Sequence, residues 1–97
     1  MPKVRLEFLP SLAETLGVEQ VSEEGIPDAD ALFTDLLCRL GTQYPLFSQI
    51  VFDMKTQKLT GRVAIFLNGR TLNPESGLNI RLKDGDRLIF APTIEGG

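Results

Sequence analysis

Arg62-Val63-Ala64-Ile65-Phe66-Leu67-Asn68-Gly69 is the stretch on which the fold turns. From Val63 to Leu67 it is apolar without alternation, the signature of a strand covered on both faces and therefore interior to a sheet. Asn68-Gly69 then supplies two residues that tolerate positive φ, the strongest short hairpin signal a sequence can carry. The chain must reverse there. Arg70-Thr71-Leu72 makes a brief return strand, which Asn73-Pro74-Glu75-Ser76-Gly77 ends.

Downstream, Leu82-Lys83-Asp84-Gly85-Asp86 reads as a second turn. Asp84 and Asp86 raise the question of a cation site, but three or more converging oxygens are needed and the spacing does not supply them. No metal is therefore expected. Arg87-Leu88-Ile89-Phe90-Ala91 is again apolar on both faces and reads as a second interior strand. Pro92 is expected to end its pairing and to launch the tail Thr93-Ile94-Glu95-Gly96-Gly97.

Upstream, Lys3 to Phe8 alternates cleanly, Val4, Leu6 and Phe8 on one face and Lys3, Arg5 and Glu7 on the other, as a strand with one buried face should. Pro10 and Gly17 bracket a segment whose Leu12, Ala13 and Leu16 either form a turn of helix or cap the core. Val18 to Ser22 lies close enough to pair antiparallel with the first strand, and Glu23-Glu24-Gly25-Ile26-Pro27 reads as a turn. From Asp28 the period changes. Ala29, Leu32, Phe33, Leu36, Leu37 and Leu40 fall on one helical stripe, with Asp28 or Asp30 as expected N-cap and Gly41 as expected C-terminal cap. Leu46, Phe47, Ile50, Val51 and Met54 suit a further short helix, followed by a polar excursion at Lys55-Thr56-Gln57-Lys58. That excursion reads as a solvated loop rather than a docking site.

The 97 residues suffice for one core without metal or disulfide support, and 42% hydrophobic with 24% charged is ordinary globular composition. A net charge of −3 argues against nucleic acid or an anionic membrane as partner, since both select a basic footprint. An acidic chain of this kind suits a basic docking surface. The sequence has no histidine, which removes Ser-His, Cys-His and His-based metal designs together. No acid–base pairing of the remaining carboxylates and lysines stands out, so no catalytic residue is expected. A single cysteine, Cys38, allows no internal disulfide, and with no secretory signal pattern the expected compartment is a reducing cytoplasm. On the helical wheel Cys38 points away from the apolar stripe. A thiol that relays sulfur is one reading, but reactivity needs a lowered pKa and only Arg39 is an adjacent cation, so a spectator is the better one.

The tail supplies the chemistry. At an average glycine usage of about 7%, two glycines fill two given positions roughly once in 200 chains. Lacking Cβ, Gly96 and Gly97 let a backbone thread a narrow channel and deliver a carboxylate to a buried reactive centre. That carboxylate, with a pKa of about 3.5, is ionised at neutral pH and inert as an acyl donor. It must be activated elsewhere, and acyl-adenylate formation from ATP followed by attack of sulfide or an amine fits. On this reading the chain is cargo carrier and its partners are the catalysts.

Strand, strand, helix, irregular segment, strand, short strand, strand, ended by Leu67-Asn68-Gly69, Leu82-Lys83-Asp84-Gly85-Asp86, Pro92 and Gly96-Gly97, resembles the small sulfur carriers of the MoaD and ThiS type over nearly the full length. The resemblance implies an α+β, ubiquitin-like β-grasp fold, a mixed sheet of four to five strands on one main helix. Residues 1–91 would form the domain and residues 92–97 a flexible diglycine tail. It further implies that Gly97 bears the acyl-adenylate and then the thiocarboxylate, while Gly96 allows threading. The implied partners are a ubiquitin-activating-like adenylating enzyme, a sulfur donor and the large subunit of a synthase that accepts the sulfur, with no cofactor of the chain's own. The spacing through Asn73 to Leu78 looks more like the molybdopterin synthase small subunit than the shorter thiamine carrier. A protein modifier joined to lysines through Gly97, and a β-grasp interaction module whose diglycine is incidental, are the alternatives. Phe8, Phe66 and Phe90 are candidates for an adhesive surface, although their strand positions favour the core.

Overall fold

The computed structural model describes residues 3–26, 32–72 and 80–93. Strand β1 (Lys3–Phe8) is the expected alternating strand, burying Val4, Leu6 and Phe8. Helix α1 (Pro10–Leu16) follows, started by a proline whose missing N–H costs nothing in a first turn and stopped by Gly17 at φ 75°. It turns Leu12, Ala13 and Leu16 into the core. Strand β2 (Val21–Gly25) pairs antiparallel with β1, Lys3 opposite Gly25 and Glu7 opposite Val21. Glu23-Glu24-Gly25 is therefore strand and not turn, and Val18 to Gln20 form the connection instead. Glu23-Glu24-Gly25 ahead of Pro27 looked turn-like in sequence, but pairing with β1 overrides propensity at an edge.

Helix α2 (Phe33–Gln43) buries Phe33, Leu36, Leu37 and Leu40 at the spacing of a single helical face. Its described N-cap is Leu32, in an extended conformation with no side-chain cap, and Leu32 also bridges to Arg81. Asp28 and Asp30, expected as caps, lie outside the described residues. Gly41 is not the C-terminal cap, because the helix continues past it to Tyr44. Its reason is space: a Cβ there would lie 2.8 Å from Met54 Sδ. The segment that follows is richer than the expected short helix. A single turn, α3 (Phe47–Ile50), leads into a small hairpin of β3 (Phe52–Asp53) and β4 (Lys58–Leu59). The Asp53 carboxylate closes its turn by accepting the N–H groups of Lys55 and Thr56 at 2.8 and 3.3 Å, and Gln57 takes a φ of 58°.

Strands β5 (Val63–Leu67), β6 (Arg70–Thr71) and β7 (Arg87–Pro92) complete a five-stranded sheet in the order β2-β1-β7-β5-β6. β7 is central, parallel to β1 and antiparallel to β5, so the sheet is mixed. Asn68 reverses the chain at φ 51° and does more. Its side-chain oxygen accepts the Arg87 N–H at 2.9 Å and its amide donates to Asp86 at 3.0 Å, tying hairpin to neighbouring strand. The carboxylates weighed as a cation site serve the turn: Asp84 accepts the Lys3 N–H and Asp86 the Lys83 N–H, each at 2.8 Å.

One core forms where the inner sheet face meets the helices. At its centre Phe8 and Phe90, adjacent in the parallel register, stack with ring centroids 4.6 Å apart, and Phe47 meets Phe90 edge-on at 6.1 Å. This is the expected β-grasp architecture of mixed sheet and main helix. Among the described residues no helix is long and apolar enough to cross a membrane.

Candidate functional site

β5 and β7 are apolar on both faces, and the pleat divides their side chains between two environments. Val63, Ile65, Leu88 and Phe90 turn inward and are buried. Ala64, Phe66, Ile89 and Ala91 turn outward and stay partly exposed. The register sets Phe66 beside Ile89 and Ala64 beside Ala91, so the outer face carries a continuous apolar strip over the two strands. Of the three phenylalanines considered for an adhesive surface, Phe8 and Phe90 are core and Phe66 is surface. Lack of alternation signalled interior strands correctly. It also signalled this strip, which reading the strands as fully covered missed.

Beside the strip on β1, Glu7 is opposite Ile89 in the register and holds two cations at once. Its Oε2 lies 2.9 Å from Arg87 Nη2 and 3.2 Å from Arg5 Nε. Both guanidiniums are more than half exposed, so these contacts add little stability. Glu23 of β2 lies opposite Arg5 in the register, so two arginines and two glutamates share this part of the outer face.

The root of the tail is on the same two strands. Pro92 does not end the pairing: it lies opposite Val63, and the Thr93 N–H donates to the Arg62 carbonyl at 3.0 Å. The Thr93 hydroxyl adds bonds to the Arg62 and Gly61 carbonyls at 3.1 and 3.3 Å. Proline is tolerated because of alternation. Phe90 uses its carbonyl toward β1, where Leu9 donates to it, so Pro92 also faces that side, beyond the point where β1 has turned into α1. Gly96 and Gly97, the residues expected to carry the chemistry, lie outside the described residues. Four residues separate Thr93 from the end, a reach of at most about 14 Å when extended.

The remaining candidates fall elsewhere. Cys38 packs partly buried against the core, and its Sγ is 3.4 Å from Gln57 Oε1. Lys55 and Lys58 are exposed in the β3–β4 hairpin. Among the described residues no three His, Cys, Asp or Glu side chains are grouped to hold a metal.

Known proteins share this architecture. Small archaeal modifier protein 1 of Methanosarcina acetivorans is 26% identical, with a TM-score of 0.73 over 100% of this chain and 98% of that one. A Pyrococcus furiosus protein assigned as molybdopterin converting factor, subunit 1, is 24% identical, with a TM-score of 0.72 over 97% and 100%. The Amycolatopsis orientalis BexX/CysO complex contains a chain 20% identical, with a TM-score of 0.66 over 97% and 99%. No curated protein sequence matches the chain. The ThiS family model matches residues 6–97, from the middle of β1 through the diglycine, and the chain accordingly belongs to the ThiS family of ubiquitin-like carriers.

Proposed function

We propose that the chain is a sulfur carrier whose terminal Gly97 is activated and loaded by partner enzymes, in the assembly of a molybdopterin-type or tungstopterin-type cofactor. The observation that carries the proposal is a Gly96-Gly97 end on a chain of the ThiS family. The Gly97 carboxylate attacks the α-phosphate of ATP, forming the acyl-adenylate and releasing pyrophosphate. Sulfide from a donor protein then displaces AMP, leaving a thiocarboxylate that a synthase large subunit consumes. The chain contributes no catalytic group. It supplies a carboxylate on a thin tether rooted at Thr93, and beside that root the strip of Phe66 and Ile89 with Arg5 and Arg87 on which the adenylating enzyme and the synthase would dock in turn. Similarity to a molybdopterin converting factor subunit favours the pterin pathway over a thiamine one.

Intact mass after incubation with the cognate activating enzyme, ATP and a sulfur donor, beside an ATP-free control, tests this. A gain matching exchange of one oxygen for sulfur at Gly97 is the expected result. No adduct, with an enzyme competent on another carrier, would return the chain to a plain interaction module. A second reading, a modifier joined through Gly97 to lysines, draws support from the likeness to small archaeal modifier protein 1. Covalent conjugates on a denaturing gel would select it.

A further inference from the structure

β2 is an end strand of the sheet, and alternation tells which of its backbone groups are spent. The Phe8 N–H donates to the Gln20 carbonyl at 2.8 Å, so Gln20, Ser22 and Glu24 bond to β1, whereas Val21, Glu23 and Gly25 direct their N–H and C=O outward. Among the described residues the Gly25 carbonyl is met by Arg39 Nη2 at 2.8 Å, and the outward groups of Val21 and Glu23 have no partner. Val21 is 48% exposed.

This open edge borders a seam against α2. At the Gly25 end is a shallow groove floored by Arg39, Thr42 and Gln43. Toward the other end the seam deepens into a cavity of about 150 Å³ lined by Phe8, Val18, Leu40 and Tyr44 together with the polar side chains of Glu19, Ser22, Glu23 and Glu24. A cavity of that size has room for one small side chain. A strand added to β2 would place alternate side chains over this seam.

We propose that the β2 edge and its seam bind an extended basic peptide of a partner protein, which adds a sixth strand and inserts one aliphatic side chain into the cavity. Charge selects the occupant. Glu19, Glu23 and Glu24 lie along the seam, Arg39 engages Glu24 and the Gly25 carbonyl, and Arg5 lies opposite Glu23 on β1, so three carboxylates face two guanidiniums and the seam keeps a net negative charge. A second copy of this chain pairing edge to edge would set these glutamates against their counterparts, which is unfavourable between adjacent strands. A basic peptide gains at the same positions. The surface is separate from the strip on β5 and β7, so the proposal stands or falls independently of tail loading.

The test is a titration of the full-length 15N-labelled protein with the peptide acetyl-Arg-Lys-Val-Leu-Val-Lys-Arg-amide. The expected result is slowed hydrogen exchange at the Val21 and Glu23 amides, with shifts at Leu40 and Tyr44. The peptide carrying glutamate for its basic residues should bind at least about tenfold more weakly, from several partly exposed charge pairs. N-methylation of alternate peptide amides should abolish binding. Val21→Pro, which removes an outward donor and no β1 bond, should weaken it, and the surface pair Glu19→Lys with Glu23→Lys should reverse the preference while leaving the backbone intact. Shifts confined to Phe66 and Ile89, indifference to charge or N-methylation, or no binding at millimolar peptide would each overturn the proposal. So would a dimer of the free protein with Val21 and Glu23 protected, which would assign the edge to a second copy.

Discussion

Phe66 and Phe90 lie on neighbouring strands and are both apolar, yet they turn to opposite faces of the sheet. Phe90 is fully buried, stacked on Phe8 and touched by Phe47. Its replacement by alanine should cost about 3–5 kcal/mol in urea unfolding, a large share of the stability of a domain this size. Phe66→Asp should change unfolding far less and should raise the KM for adenylation on the proposed docking reading. Equal losses from the two would mean that Phe66 is structural only. Gly41 is a finer case. A helix-interior glycine costs about 1 kcal/mol relative to alanine, and here it leaves room for the Met54 thioether. Gly41→Leu should destabilise by about 1–3 kcal/mol through overpacking, and Met54→Ala should recover part of that loss. Additivity of the two changes would remove the close approach as the reason for the glycine.

Among elements, the Asn68-Gly69 hairpin was plain in the sequence, but the work of its asparagine was not. Asn68 joins β5 to β7 by bonds to Asp86 and Arg87, 18 and 19 positions away respectively. Asn68→Gly keeps the positive φ and loses both bonds, so a cost of about 1–2 kcal/mol in unfolding would assign its role to the bonds. A variant as stable as the parent would leave only the conformation. β2 and the β3–β4 hairpin were the elements that local reading misplaced. Glu23-Glu24-Gly25 has turn-like composition and becomes strand only because β1 offers it a ladder. The hairpin has two residues a side, too few for any period to register. Gly41 was misread for a related reason, since a glycine near the end of an apolar stripe looks like a cap until the neighbour that crowds it is known.

For the whole molecule, the terminal carboxylate and the folded domain are separable. One residue appended after Gly97 should abolish the thiocarboxylate adduct and leave the unfolding midpoint unchanged, because the last buried residue of the described core is Phe90, seven positions before Gly97. An extended chain that still gains the adduct would exclude Gly97 as the acceptor. Much was legible in advance: β1 by its alternation, α2 by its stripe, and β5 and β7 by unbroken apolarity. These are local patterns, written in residues that are near neighbours in the chain and bear one physical reading each. Tertiary structure alone decided the order β2-β1-β7-β5-β6, the partial exposure of Phe66 beside Ile89, the continuation of pairing past Pro92 and the open edge of β2. Each depends on which strand lies alongside which, and that is settled by burying apolar surface common to segments as far apart as β1 and β7, a sum over the whole chain that no single stretch contains.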